Sequence, residues 1–129
     1  METRYLIDTS AYSHYLTKRL KDQPYRFFET VIREESLVSI ISRMELESWV
    51  PGSKELEANV RSVLSSSMIL SLSEPIIRQT IKLRRHYRGL KLPDAVIAAT
   101  AIVHSFTLLS TNDIDFQRIN ELNYKSLSA

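Results

Sequence analysis

Four acidic residues far apart in the chain, Asp8, Glu45, Asp94 and Asp113, share one local setting. Asp8 follows the apolar run Tyr5-Leu6-Ile7, and Asp113 follows Leu108-Leu109-Ser110-Thr111-Asn112. Glu45 comes soon after Leu37-Val38-Ser39-Ile40-Ile41, and Asp94 opens the apolar stretch 95–103. If the strand-like runs are parallel, their carboxyl ends share one edge of a sheet, where the loops of open α/β folds build their sites. Four carboxylates collected there repel one another unless a cation holds them. Magnesium and manganese, hard ions that take oxygen ligands, suit such a set. The pattern points to metal-dependent chemistry on a phosphate substrate.

The chain also declares the elements that must position these acids. Residues 4–8 read as a first buried strand, followed by a helix that Thr9-Ser10 can cap. Pro24 stops that unit, and residues 25–35 space Phe27, Phe28, Val31 and Ile32 as a helix does. Residues 37–41, rich in branched side chains, make a second strand. A short helix over 42–50 closes at Pro51-Gly52, and 55–64 forms another with Leu56, Val60, Val63 and Leu64 on one side. Residues 68–72 are a third strand candidate. Ser73 with Pro75 begins a helix whose Ile76, Ile77, Ile81, Leu83 and Tyr87 face inward and which Gly89 ends. Pro93-Asp94 starts the next helix, apolar on nearly all sides to Val103 and therefore buried. Residues 107–110 form a fourth strand, and 123–127 add a short edge strand. Strands alternating with helices imply an α/β fold, a parallel sheet covered on both faces. No repeat or linker interrupts the chain, so one domain over 1–129 is expected.

Composition narrows the classes. With 43% hydrophobic and 25% charged residues, 129 residues suit an ordinary globular domain that buries roughly two-thirds of its unfolded surface. There is no cysteine, which fits a reducing cytoplasm and removes disulfides and thiolate zinc sites. Met1-Glu2-Thr3-Arg4 leads straight into a strand without the apolar core of a signal peptide. The stretch 95–103 falls short of the roughly 20 apolar residues that cross a bilayer. A cytoplasmic protein without membrane association is expected. Only Gly52 and Gly89 occur, so neither a P-loop nor GxGxxG can be written. His14, His86 and His104 form no i, i+4 pair, and without cysteine or GxSxG nucleophilic catalysis lacks support. The net charge of +2 is small, but no acid occurs between Glu74 and Asp94, where Arg78, Lys82, Arg84, Arg85, Arg88 and Lys91 fall. That field could attract a polyanion, and it equally describes a solvated helix face.

Taken singly, each acid has an ordinary explanation. Asp8 could cap the helix after the first strand. Glu45 stands three residues after Ser42, the capping-box spacing. Asp94 follows Pro93 at a helix start, where the dipole favours negative charge. Asp113 could make an Asx turn. Their joint placement is what independent caps do not require. Asp115 and Glu47 read as exposed or supporting residues, while Ser10, Ser110 and Thr111 could hydrogen-bond a carboxylate from behind.

Four segments together resemble the PIN-domain family, above all its VapC-type toxin ribonucleases of type II toxin–antitoxin modules. They are Leu6-Ile7-Asp8-Thr9-Ser10, Ser42-Arg43-Met44-Glu45-Leu46, Leu92-Pro93-Asp94-Ala95-Val96-Ile97-Ala98-Ala99-Thr100-Ala101, and Leu109-Ser110-Thr111-Asn112-Asp113-Ile114-Asp115-Phe116. The resemblance covers essentially the whole chain in motif order. It implies a three-layer α/β/α sandwich around a parallel sheet of four to five short strands. It implies an endoribonuclease using Mg²⁺ or Mn²⁺, with Asp8, Glu45, Asp94 and Asp113 catalytic and Asp8, Asp94 and Asp113 binding metal. Asp115 stands beside the more variable fourth position, and the family's small hydroxyl residue falls on Thr111 or Ser110. An RNA substrate, a cognate antitoxin and a homodimer are implied as partners. One departure follows the glutamate: members often carry a glycine in an aromatic context, whereas this chain reads Glu47-Ser48-Trp49-Val50-Pro51-Gly52.

Two other readings stand beside this one. A PIN nuclease could serve RNA maturation without a toxin role. A receiver-like signalling module could carry an acidic pocket, but receivers pair acids after the first strand and need a late lysine. Here only Asp8 ends the first strand and no such lysine precedes the tail.

Overall fold

Five short strands, β1 (Tyr5–Ile7), β2 (Leu37–Ser39), β3 (Met68–Leu70), β4 (Thr107–Ser110) and β5 (Asn123–Ser126), pair in the order β3-β2-β1-β4-β5. Every pairing is parallel. The computed structural model describes residues 2–128; Met1 and Ala129, the two ends of the expected domain, lie outside the described residues. Among the described residues seven helices connect and cover the sheet: α1 (Thr9–Leu16), α2 (Asp22–Glu34), α3 (Ile40–Ser48), α4 (Lys54–Ser65), α5 (Glu74–His86), α6 (Leu92–His104) and α7 (Asp113–Phe116).

Side chains alternate across a strand, so neighbouring residues feed opposite layers. Leu6 stands in register with Leu37 and Leu108. All three join one core with Ile76 and Leu83 of α5 and Ala95 to Ala99 of α6. Ile7, Val38 and Leu109 turn the other way, against Ala11 and Tyr12 of α1, Phe28 of α2, Leu46 of α3 and Val60 of α4. The result is the three-layer α/β/α sandwich that the alternation implies. β1 sits in the middle, so the residue that follows it is surrounded on all sides. Among the described residues no helix is long and apolar enough to cross a membrane.

Local departures from the sequence reading have identifiable causes. The second strand stops at Ser39, not Ile41, because the Ser39 hydroxyl accepts the Ile41 amide at 3.0 Å and caps α3. Ser42 and Glu45 are thereby carried inside the helix and form no capping box. Pro24 does not end a unit; it lies in the first turn of α2, where a missing N–H leaves no bond unmade. Ile77 and Ile81 are 41% and 51% exposed, since Ile76, Thr80 and Leu83 take the inward stripe of α5. That helix ends at His86, and Gly89, at φ 77°, supplies the turn beyond it. α6 starts at Leu92, one residue before the expected Pro93. The short α7 was not foreseen, and it decides which way two aspartates point.

Candidate active site

The carboxyl ends of β1, β2 and β4 open onto one edge, as the parallel register requires. Asp8 leaves β1 directly and is 4% exposed, the one acidic residue among the buried polar side chains. Burial raises its pKa, while the Ser10 and Ser110 hydroxyls, each donating to Oδ2 at 2.7 Å, act against that rise. Ser110 also accepts the Asn112 amide at 2.9 Å, and Ser10 accepts that of Thr111 at 3.2 Å. These bonds join the β1–α1 junction to the exit of β4. Although Asp8 occupies the N-cap position of α1, its side chain makes no capping bond across the first turn. The carboxylate is turned into the edge.

Glu45 projects from α3, exposed at its tip. The Thr9 hydroxyl donates to its Oε1 at 2.6 Å and lies 2.9 Å from Ser42 Oγ. The Thr9 proton thus faces two acceptors, the carboxylate at the shorter distance and Ser42 Oγ at the longer. A concavity of about 540 Å³ opens beside Glu45, lined by Thr9, Ser13, Arg19, Glu45, Leu46 and Trp49 among others.

Asp94 lies in the first turn of α6, half-buried. Its pKa is pushed from 3.8 up to about 6, first by burial, then by the neighbouring carboxylates of Asp8, Asp115 and Glu45. The structure thus brings Asp8, Glu45 and Asp94 into one field and adds Asp115, which had read as a supporting residue. Asp113 faces elsewhere: its two oxygens accept from the Tyr124 hydroxyl and from Ser126 Oγ at 2.9 Å on β5. Burial and the neighbouring Asp113 raise the Tyr124 pKa. Asn112 caps α7, accepting the Asp115 amide at 3.4 Å and donating to the Asp115 carboxylate at 2.9 Å. Asp113 and Asp115 flank one residue at the start of this helix, so they leave in different directions. Periodicity in so short a segment carries no signal; Asn112, three residues before Asp115, is the cap that marks it.

Among the described residues, none of these acids forms an ion pair; the bridges present are Arg4–Glu35, Arg43–Glu47 and Arg78–Glu74. Nor do any three acidic or histidine side chains among the described residues already stand at ion-ligating distance. The donor set still fits a hard divalent cation: oxygen only, partly buried, mutually repelling and without a neutralising side chain.

Carboxylates at the carboxyl edge of a doubly covered parallel sheet stand where open α/β domains build their sites. The chain belongs to the PIN domain family, a family of nucleases, whose sequence model matches residues 5–122. Among solved structures, a toxin–antitoxin complex from Klebsiella pneumoniae is 28% identical, with 92% of this chain and 94% of that one covered and a TM-score of 0.70. VapBC2 from Rickettsia felis, bound to a fragment of promoter DNA, is 24% identical over 96% of this chain and 98% of that one, with a TM-score of 0.77. DNA-bound VapBC from Salmonella typhimurium reaches a TM-score of 0.79 at 17% identity, covering 98% and 99% of the chains. The last two, at such identity, speak to the fold alone. No relative was found among curated proteins.

Proposed function

We propose that the protein is a Mg²⁺- or Mn²⁺-dependent endoribonuclease, acting as one PIN-like unit over 1–129 and serving as the toxin of a toxin–antitoxin pair. The observation that carries this reading is the unpaired acidic cluster at the carboxyl edge of the sheet in a PIN domain. The toxin role is supported by the likeness to the Klebsiella toxin–antitoxin complex. The same likeness motivates a cognate antitoxin, and the family resemblance motivates a homodimer and a cytoplasmic setting.

Asp8 and Asp94 would hold the ion. Asp115, whose charge acts on Asp94, would join them, while Asp113, first expected in that place, braces α7 against β5. When bound there, a divalent ion would supply positive charge at the scissile phosphate and lower the pKa of the attacking water. Ser10 and Ser110 hold Asp8 in one rotamer and favour its ionised form. Glu45, steadied by Thr9 and open to solvent, orients the attacking water and accepts its proton.

The test is cleavage. Purified protein with Mg²⁺ or Mn²⁺ cuts RNA, and Asp94→Asn abolishes cutting; equal cutting by the variant refutes the site. Growth arrest on expression, relieved by a small adjacent antitoxin gene, separates a toxin from a nuclease of RNA maturation.

A further inference from the structure

An edge built of carboxylates repels RNA, so a nuclease of this kind needs positive charge close by to hold the backbone. Two arms of the chain carry cations within three residues of these acids. The first is the end of α5 and the turn into α6, where Arg84, Arg85, Arg88 and Lys91 are all exposed. Lys91 is the residue that precedes α6, three positions before Asp94, which is about 5 Å along a helix axis. The second arm follows α7: exposed Arg118 stands three positions beyond Asp115. Arg118 Nη1 donates to the Arg88 carbonyl at 2.8 Å, and that bond joins the arms into one rim.

The rim continues into a concavity of about 610 Å³ lined by Lys82, Arg85, His86, Tyr87, Asn120 and Glu121. Glu121 is its one acid, and its Oε1 is already engaged by the Tyr87 hydroxyl at 2.6 Å. Among the described residues Lys82, Arg85, Arg88, Lys91 and Arg118 form no ion pair. A merely solvated helix would place its cations on one stripe of one element. Here they come from α5, from the α5–α6 turn and from the segment after α7, fastened by a backbone hydrogen bond. Lys91 and Arg118 each stand three residues from an acid of the edge, Asp94 and Asp115.

We propose that Arg88, Lys91 and Arg118, extended by Lys82 and Arg85, form a track that holds the RNA phosphate backbone as it approaches the carboxylates. This deepens the nuclease reading and rests on it. Such contacts release counterions, so each one leaves a measurable mark on salt dependence.

The experiment follows a fluorescein-labelled single-stranded RNA of mixed sequence by anisotropy, in EDTA, across a KCl series. Wild type is compared with Arg88→Gln/Lys91→Gln. Among the described residues neither side chain makes a hydrogen bond, and the Arg88 carbonyl that receives Arg118 is kept. The slope of log affinity against log salt becomes shallower by about 0.7 per lost contact, about 1.4 for the pair. With Mn²⁺, the KM for RNA rises while kcat stays unchanged. Arg118→Gln lowers the slope by about 0.7 as well, and Arg118→Lys restores it, which separates charge from support of the turn. A slope unchanged in the double variant overturns the track and leaves the nuclease proposal standing. Loss of binding to a co-expressed antitoxin with RNA binding intact does the same, giving the rim to a protein partner. A wild type that cuts no RNA with either metal ends the nuclease reading and takes the track with it.

Discussion

Asp94→Asn should stabilise the metal-free protein above neutral pH while destroying its activity. Asp94 has its pKa raised from 3.8 to about 6 in the folded chain, mainly by burial and then by its acidic neighbours. A carboxyl raised in this way contributes stability that is complete below the unfolded value and lost as pH climbs through the folded one. At about 1.4 kcal/mol per tenfold change in proton affinity, the ceiling is about 3 kcal/mol. Because the group is only half-buried, solvent screening reduces this to about 1–2 kcal/mol. The neutral amide forgoes a helix-dipole interaction of about 0.3–1 kcal/mol, so about 1 kcal/mol of net stabilisation remains at pH 8. Urea denaturation in EDTA from pH 4 to 8 measures it. The wild-type curve falls between pH 4 and 7 relative to the variant, and the two separate most above pH 7. Parallel curves, or a variant less stable at pH 8, would show that the acidic edge carries no such repulsion.

Other changes test neighbouring parts of the same edge. In saturating Mn²⁺ at pH 8 the wild type gains about 2.7 kcal/mol at 100 times the dissociation constant, read as a rise in urea midpoint, and Asp94→Asn gains nothing comparable. Ser110→Ala removes the donor to Asp8 and the acceptor of the Asn112 amide, which should lower Mn²⁺ affinity about 10–100-fold by titration; unchanged affinity would leave Ser110 a packing residue. Asp115→Asn should cost more nuclease activity than Asp113→Asn, whereas Tyr124→Phe should cost about 1–3 kcal/mol of stability in urea with kcat near wild type; the reverse order of the two aspartates in a cleavage assay would restore Asp113 to the metal. Phe28→Ala, which empties a fully buried ring site edge-on to Tyr12 at 5.2 Å, should cost about 3–5 kcal/mol in the same denaturation assay.

Much of this molecule is legible in one dimension because its inner strands, β1, β2 and β4, are buried on both faces. The runs at 5–7, 37–39, 68–70 and 107–110 are mostly apolar, so they stand out from the amphipathic helices between them. Their parallel order then forces whatever follows them to a common edge, and that is why Asp8 and the segment after β4 could be placed from the sequence. Asp94 was legible as an acid at a helix start. Boundaries were less so: a serine that ends a strand and one that caps a helix look alike until the hydroxyl has an amide to accept, as at Ser39.

What only the folded chain decided was direction. Asp113 and Asp115 are nearly interchangeable as letters, yet a helix of four residues capped by Asn112 sends one to Tyr124 and Ser126 and leaves the other on Asn112, where its charge acts on Asp94. Likewise Arg118 meets the Arg88 carbonyl from 30 residues away, a contact no local pattern encodes. Sequence settles which side chains a sheet edge receives, because burial and period act along the chain. Which of them face one another depends on dihedral choices in short turns, and those are selected by hydrogen bonds that exist only once distant segments have packed.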